Sequence, residues 1–385
     1  MITISGGLAE PPPVIKAAYW PSWITTFPPS AINTTLFTHI FYAFLAPNNA
    51  TYKLEITNST AESLLNFTST LRRSEPPPKT LFSIGGELAG RDLFAAVASQ
   101  ASSRKAFIDS SIEVARKFGF HGVDLDWEFP RSPKEMGHLG LLFNEWRDAI
   151  EKEAHLTSRP PLLLTAAVYF SADFFLAAEK RSYPVTLIKR NLDWINVMTY
   201  DYHGAWSNIT GPNAALFDPT SDINSIRGLK SWINAGMPPS KIVMGLPLYG
   251  RTWKLKDPNS NRIGAEAVGP GPGDGAMTYS RVEKLIEDFG ARVEYDVATV
   301  SVYVVLGSTW IGYDDGLTIT TKIGFAQALG LRGYFFWALG YDRHWEISTQ
   351  GIIIPSLSNE QTNLPKSIRL EKAYKLISSK KNKKI

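Results

Sequence analysis

Apolar residues along this chain gather into eight short, nearly continuous runs, at 15–20, 39–45, 80–84, 121–127, 162–168, 194–200, 242–248 and 333–337. Between most of them the apolar period lengthens to that of a helix, as at 102–118, 133–154, 223–235 and 320–329. A strand buried on both faces reads as a continuous apolar run, and its alternation with helices predicts a parallel sheet covered by helices. Eight such units predict an α/β fold, a closed (β/α)8 TIM barrel. The chain has 385 residues, more than the ~250 typical of that barrel, so an insertion is expected.

The pattern locates the insertion. After the run at 242–248 the chain continues through 249–255, a Gly/Pro stretch at 269–275, a short helical segment at 279–289 and strand-like segments at 293–305 and 309–313. This predicts a small α+β insertion domain at 250–316, between strand 7 and helix 7. The barrel then comprises 14–249 and 317–354, and a basic tail follows at 355–385. The prolines of Gly269-Pro270-Gly271-Pro272-Gly273 argue for turns rather than a phosphate cradle.

One strand is inverted. In Gly122-Val123-Asp124-Leu125-Asp126-Trp127-Glu128 the acids stand at i, i+2 and i+4. Successive side chains of a strand point to opposite faces, so Asp124, Asp126 and Glu128 share one face and Val123, Leu125 and Trp127 the other. Acids converging on a buried face must be protonated, hydrogen-bonded or functional. Such a cluster separates pKa values, leaving one carboxyl protonated beside another that is ionised. Glu128 ends the strand, before Phe129-Pro130, at the mouth where barrel enzymes carry their chemistry. Carboxylates can also hold Mg²⁺ or Ca²⁺, which leaves a metal-dependent hydrolase as a competing reading. A second constellation lies in Trp194-Ile195-Asn196-Val197-Met198-Thr199-Tyr200-Asp201. Asn196, Met198 and Tyr200 share a face, and Tyr200 and Asp201 end the strand, where a tyrosine hydroxyl can donate to a substrate oxygen.

Composition narrows the rest. Apolar residues make up 44% of the chain, enough for a large core. The net charge of +4 is uneven: eight basic and two acidic residues lie from Pro355 onward, leaving the body at −2. A basic nucleic-acid surface is therefore not expected. Cysteine is absent, which excludes disulfides and thiolate zinc sites. No apolar run reaches the ~18 residues of a membrane span. The first residues lack the pattern of a signal peptide. Sequons begin at Asn33, Asn49, Asn58, Asn66 and Asn208; they favour an extracellular protein, with a vacuolar one as the other compartment.

Taken together, these motifs make the chain resemble family 18 glycoside hydrolases, and among them plant class V chitinases, from about Val14 to Trp345. The family pattern D-x-x-D-x-D-x-E falls on His121, Asp124, Asp126 and Glu128, with His at its first position. M-x-Y-D falls on Met198, Tyr200 and Asp201, S-x-G-G on Ser83, Gly85 and Gly86, and the tryptophan closing the last strand on Trp337.

The resemblance implies a chitinase acting on β-1,4-linked N-acetylglucosamine polymers or oligomers. It implies retention by substrate assistance: Glu128 as general acid and then base, and the 2-acetamido carbonyl as nucleophile through an oxazolinium intermediate. Asp126 would hold the acetamido N–H, Asp124 would share a proton with Asp126, and Tyr200 would hold the acetamido oxygen. Trp337 would form the sugar floor, with Asp201 and Arg251 as further contacts. Met198, Tyr249, Phe44, Trp20, Asp314 and Trp206 complete the expected cleft. No metal or cofactor is implied, and the protein is expected as a monomer. Phe129 stands where the family more often has Tyr. The segments Glu87-Leu88-Ala89-Gly90 and Ala338-Leu339-Gly340-Tyr341-Asp342 depart from the class V pattern. A catalytically weak chitooligosaccharide-binding lectin or receptor ectodomain is the alternative on the same fold.

Overall fold

The computed structural model describes residues 13–176 and 179–353. The basic tail expected at 355–385 lies outside them. Eight parallel strands close a barrel: β1 (Ile15–Pro21), β2 (His39–Leu45), β3 (Lys79–Gly85), β4 (Gly122–Asp126), β5 (Leu163–Tyr169), β6 (Trp194–Met198), β7 (Ile242–Pro247) and β8 (Gly333–Trp337). They pair in sequence order, with β8 returning to β1. Each expected run became a strand, because a parallel strand covered by helices can be apolar throughout.

The core has two compartments. Val123, Leu125 and Trp127 of the inverted strand pack outward, with Phe82, Phe107 and Trp146, beneath the surrounding helices. Ile15, Ala17, Tyr19, Phe41, Leu81, Val243 and Phe335 fill the inside of the barrel. The helices carry ordinary stop and start signals. Ser132 caps the helix Pro133–Thr157 by accepting from the Glu135 N–H, and Pro133 sits in its first turn.

The insertion is an antiparallel sheet with one helix. Tyr249–Leu255 pairs with Ala267–Pro270, Ala276–Thr278 and Thr309–Tyr313, and the sheet continues through Ser301–Leu306 to Val293–Asp296. The helix is Tyr279–Phe289, as the sequence predicts. The strand expected at 293–305 is two strands. Between them the Asp296 carboxylate accepts from the Thr299 N–H at 2.8 Å, and Val300 has φ 54°, which turns the chain back. A second hairpin, Asp173–Leu176 with Glu179–Ser182, follows β5 on the mouth side and is not visible in the apolar pattern. Among the described residues, no helix is long and apolar enough to cross a membrane.

A buried ion pair joins the two parts of the chain. Lys322, on the helix Gly316–Ala328, donates to Asp314 and to the Ala214 carbonyl, and both charged side chains are 1% exposed. Asp314, expected as a sugar contact, is therefore a structural residue whose carboxylate is bound by Lys322. Trp20 is corrected for a related reason. It faces outward, packs on Tyr42 and Phe67, and donates its indole N–H to the Phe27 carbonyl. Period two gives the inward position to its neighbour Tyr19. Lys322→Met is expected to destabilise the protein by about 3–5 kcal/mol in chemical denaturation, because it leaves Asp314 buried and unpaired. Replacing Asp314 by Leu in the same chain should recover most of that loss.

Candidate active site

The site is assembled from strand ends at the C-terminal mouth of the barrel. Register comes first. Asp124 on β4 lies beside Ser83 on β3 and Thr165 on β5. Neighbouring residues of parallel strands point the same way, so both hydroxyls face the Asp124 carboxylate. Ser83 donates at 2.7 Å and Thr165 at 2.6 Å. Tyr19 reaches from β1 and donates to Asp124 Oδ2 at 2.9 Å. The Tyr19 hydroxyl accepts from Asn196 Nδ2 at 2.8 Å, and Asn196 in turn accepts from the Trp194 indole at 3.0 Å. A connected polar network thus crosses the barrel interior, with the Asp124 charge at its centre.

Two residues up, Asp126 has no such support. It is 4% exposed, and its Oδ1 has no hydrogen-bond partner. Burial pushes both carboxyls up, Asp126 the farther, because the charges of Glu128 and Asp124 add to its desolvation. For Asp124, the bonds from Thr165, Ser83 and Tyr19 oppose the burial. Of the two, Asp124 is the better placed to carry charge, because three hydroxyls donate to it and Asp126 Oδ1 has no donor.

Glu128 is half-buried at the mouth. Burial is the main cause that pushes its carboxyl up to about 7, followed by the charges of Glu87 and Asp201, with Arg91 opposing. The acid cluster and a partly desolvated barrel mouth together predict this rise, with Asp126 as the charged neighbour. The structure shows desolvation leading, with Glu87 the first of the charges.

The end of β3 is tied closely to that of β4. Gly86 donates its N–H to the Asp126 carbonyl at 2.9 Å. Gly85 has φ +128°, and a Cβ there would lie 2.0 Å from the Asp126 carbonyl oxygen. Gly86 has φ +81°, and its Cβ would strike the Phe44 ring at 2.6 Å. Only glycine fits both positions.

Aromatic side chains line one side of the mouth. Trp337 stacks on Phe44 at 5.5 Å, Phe44 stacks on Trp23 at 6.1 Å, and Trp337 meets Tyr19 edge-on at 5.6 Å. Trp23 is 54% exposed and extends this floor outward. Opposite, Tyr200 packs edge-on against Tyr249 and Phe335, and Met198 packs into the barrel interior beneath the mouth. Asp201, at φ 60°, accepts from Tyr249 at 2.6 Å and from Arg251 at 2.8 and 2.5 Å, all on one oxygen. Arg251 lies over the Trp206 ring at 4.9 Å, and that ring is 63% exposed. Phe129 packs edge-on against Tyr169 and Phe174, so this position contributes no hydroxyl.

The structure thus brings together Asp124, Asp126, Glu128, Met198, Tyr200, Asp201, Tyr249, Arg251, Phe44 and Trp337. Sequence reasoning missed Tyr19, Trp23, Thr165, Asn196, Glu87 and Arg91 as site residues. Tyr19 carried a signal, since a tyrosine in a strand buried on both faces needs a partner for its hydroxyl. Thr165 carried none until the register was known.

Three comparisons agree with this geometry. The model of glycosyl hydrolases family 18 matches residues 16–342. The chain is 55% identical over 341 residues to Nod factor hydrolase protein 1 of Medicago truncatula, covering 87% of this chain and 88% of that protein. It is 54% identical over 338 residues to a class V chitinase of the same plant, covering 87% and 89%. A crystal structure of a mutant class V chitinase from Nicotiana tobaccum in complex with NAG4 superposes with a TM-score of 0.83 at 41% identity, covering 88% of this chain and 97% of that one. The chain belongs to family 18 of the glycosyl hydrolases. It is a glycoside hydrolase that groups with the plant class V chitinases.

The Asp124 network yields a measurable expectation. Tyr19→Phe removes one donor to Asp124 and the acceptor of Asn196 Nδ2. Unfolding free energy should fall by about 1–3 kcal/mol. Turnover should fall with it in a steady-state assay, since the Asp124 carboxyl loses one of its three hydroxyl donors.

Proposed function

We propose that the protein is a chitinase that hydrolyses β-1,4-linked N-acetylglucosamine oligomers with retention, by substrate assistance, with Glu128 as acid and base. The observation that carries this is the arrangement of three carboxyls at alternate positions running up to the mouth: Asp124 faced by three hydroxyl donors, Asp126 buried with its Oδ1 unpartnered, and Glu128 half-buried above them. With its carboxyl pushed up to about 7, Glu128 stays partly protonated at neutral pH, where a general acid with pKa near the working pH is most effective.

A sugar on the Trp337 floor would present its glycosidic oxygen to Glu128. The buried Asp126 Oδ1, unpaired in the free protein, would accept the acetamido N–H. That bond turns the acetamido carbonyl toward the anomeric carbon. Tyr200 donates to the carbonyl oxygen and holds it in line. The carbonyl attacks as Glu128 gives its proton to the departing oxygen. The positive oxazolinium forms above the Asp126–Asp124 pair, and the proton shared by that pair adjusts to the new charge. Glu128, now a carboxylate, takes a proton from a water whose oxygen bonds to the anomeric carbon as the bond from that carbon to the acetamido oxygen breaks, which restores the original anomeric configuration.

Asp201, Arg251, Tyr249 and Trp206 make a second wall of hydrogen-bonding groups and one exposed ring for neighbouring sugars. The sequon asparagines Asn49, Asn58, Asn66 and Asn208 are exposed, which supports an extracellular or vacuolar setting. One relative is a Nod factor hydrolase, so Nod factor is the second substrate to test beside plain N-acetylglucosamine oligomers.

Glu128→Gln tests the assignment. Turnover of N-acetylglucosamine hexamer should fall by about 10²–10⁴-fold. Calorimetry should still detect hexamer binding. Unchanged turnover would overturn the role of Glu128.

The wild-type rate carries a second expectation. Only the protonated acid can act, so kcat/KM should decline as pH rises through about 7, tenfold per unit beyond it. A profile flat well into alkaline pH would contradict the raised acid.

A further inference from the structure

The strand expected to end at Glu128 ends at Asp126, and Glu128, two residues past β4, is held from a neighbouring loop. Arg91 opens the helix Arg91–Ser99 in the loop that follows β3, and its Nε donates to the Glu128 backbone carbonyl at 3.1 Å. The next residue, Asp92, pairs with Arg131, three residues past Glu128. Arg131 is fixed in turn by Glu135, which accepts its backbone N–H at 2.6 Å. The loop after β3 and the loop after β4 are thus joined by adjacent residues, at the acid's own carbonyl and three residues beyond it. The same short loop carries Glu87, an exposed carboxylate directly after the Gly86 that is bonded to the Asp126 carbonyl. Glu87 and Arg91 bring opposite charges to bear on one carboxyl from one loop.

We infer that Arg91 is a positioning residue for the acid: it fixes the Glu128 carbonyl from the neighbouring loop, and Glu87 is its opposing charge on that loop. The inference rests on the reading of Glu128 as the general acid. The other groups that face Glu128 are Asp126 below it, Asp201 and Tyr200 after β6, and Tyr183 past the hairpin that follows β5. None of these lies on the loop after β3. The loop can therefore be altered without touching the groups proposed to meet the sugar.

The signs follow from the charges. The Arg91 cation favours ionised Glu128, and the Glu87 carboxylate disfavours it. The test is the pH dependence of kcat/KM on N-acetylglucosamine hexamer for wild type, Arg91→Met, Arg91→Lys and Glu87→Gln, each with its melting temperature. Arg91→Met should move the alkaline limb to higher pH and lower kcat roughly tenfold, the size expected when a reacting group loses its placement. Glu87→Gln should move the limb to lower pH. Arg91→Lys keeps the charge but not the planar donor, so the limb should stay while kcat remains reduced.

Limbs that do not move in Arg91→Met and Glu87→Gln, or that move in the same direction, would overturn the inference. So would full kcat in Arg91→Lys. If Arg91→Met fails to fold, Glu87→Gln alters an exposed side chain and still decides the direction of the shift. A wild type that does not cleave, or an active Glu128→Gln, would instead defeat the assignment of the acid.

Discussion

The charge on Asp124 is the constraint on which the site depends. A carboxylate at 0% exposure inside a barrel is costly unless donors replace its lost water. Tyr19, Ser83 and Thr165 supply them, each from a different strand. The carboxyl two residues above has no such donors at Oδ1, and burial together with the charges of Glu128 and Asp124 pushes Asp126 up the farther. A third, another step up and half-desolvated, comes to rest as an acid near neutral pH. The spacing of one strand and the two residues after it, with one saturated residue at the base, gives three carboxyls three different surroundings.

The rest of the architecture serves that arrangement by controlling what surrounds the mouth. The aromatic stack of Trp337, Phe44 and Trp23 makes a flat apolar surface on one side. The insertion begins at Tyr249, directly after β7, so its first strand carries Tyr249 and Arg251 onto Asp201. The buried Lys322–Asp314 pair sits where the insertion returns to the barrel, and it binds the Ala214 carbonyl as well. A charge pair with one partner just past the insertion's last strand and the other on the following helix holds the wall in one orientation to the mouth.

Much of this was legible before any coordinates. The barrel follows from eight apolar runs, since continuous burial on both faces is a strong constraint on composition. The acids on β4 were legible because their polarity contrasts with their neighbours at period two. Where that contrast vanishes, the reading fails. In Ala17-Ala18-Tyr19-Trp20 both faces are apolar, so Trp20 was placed in the cleft and Tyr19 overlooked. Asp314 looked like a cleft acid because a lone aspartate in sequence does not reveal its partner, which lies on the next helix. The hydroxyls of Ser83 and Thr165 gained their meaning only from strand register. The turn that divides 293–305 rests on one Asp–Thr bond and a single left-handed valine, a signal too local to interrupt an apolar run.

Unequal sharing of protons among Asp124, Asp126 and Glu128 is the central physical claim, and infrared difference spectroscopy reads it directly. The carbonyl band of a protonated carboxyl is compared between wild type and Glu128→Gln across pH. A protonated band that is absent from Glu128→Gln and disappears as pH rises through about 7 would show that Glu128 is the acid held by its surroundings. A wild type whose spectrum matches that of Glu128→Gln at every pH above the ordinary carboxylate range of ~4–5 would contradict it.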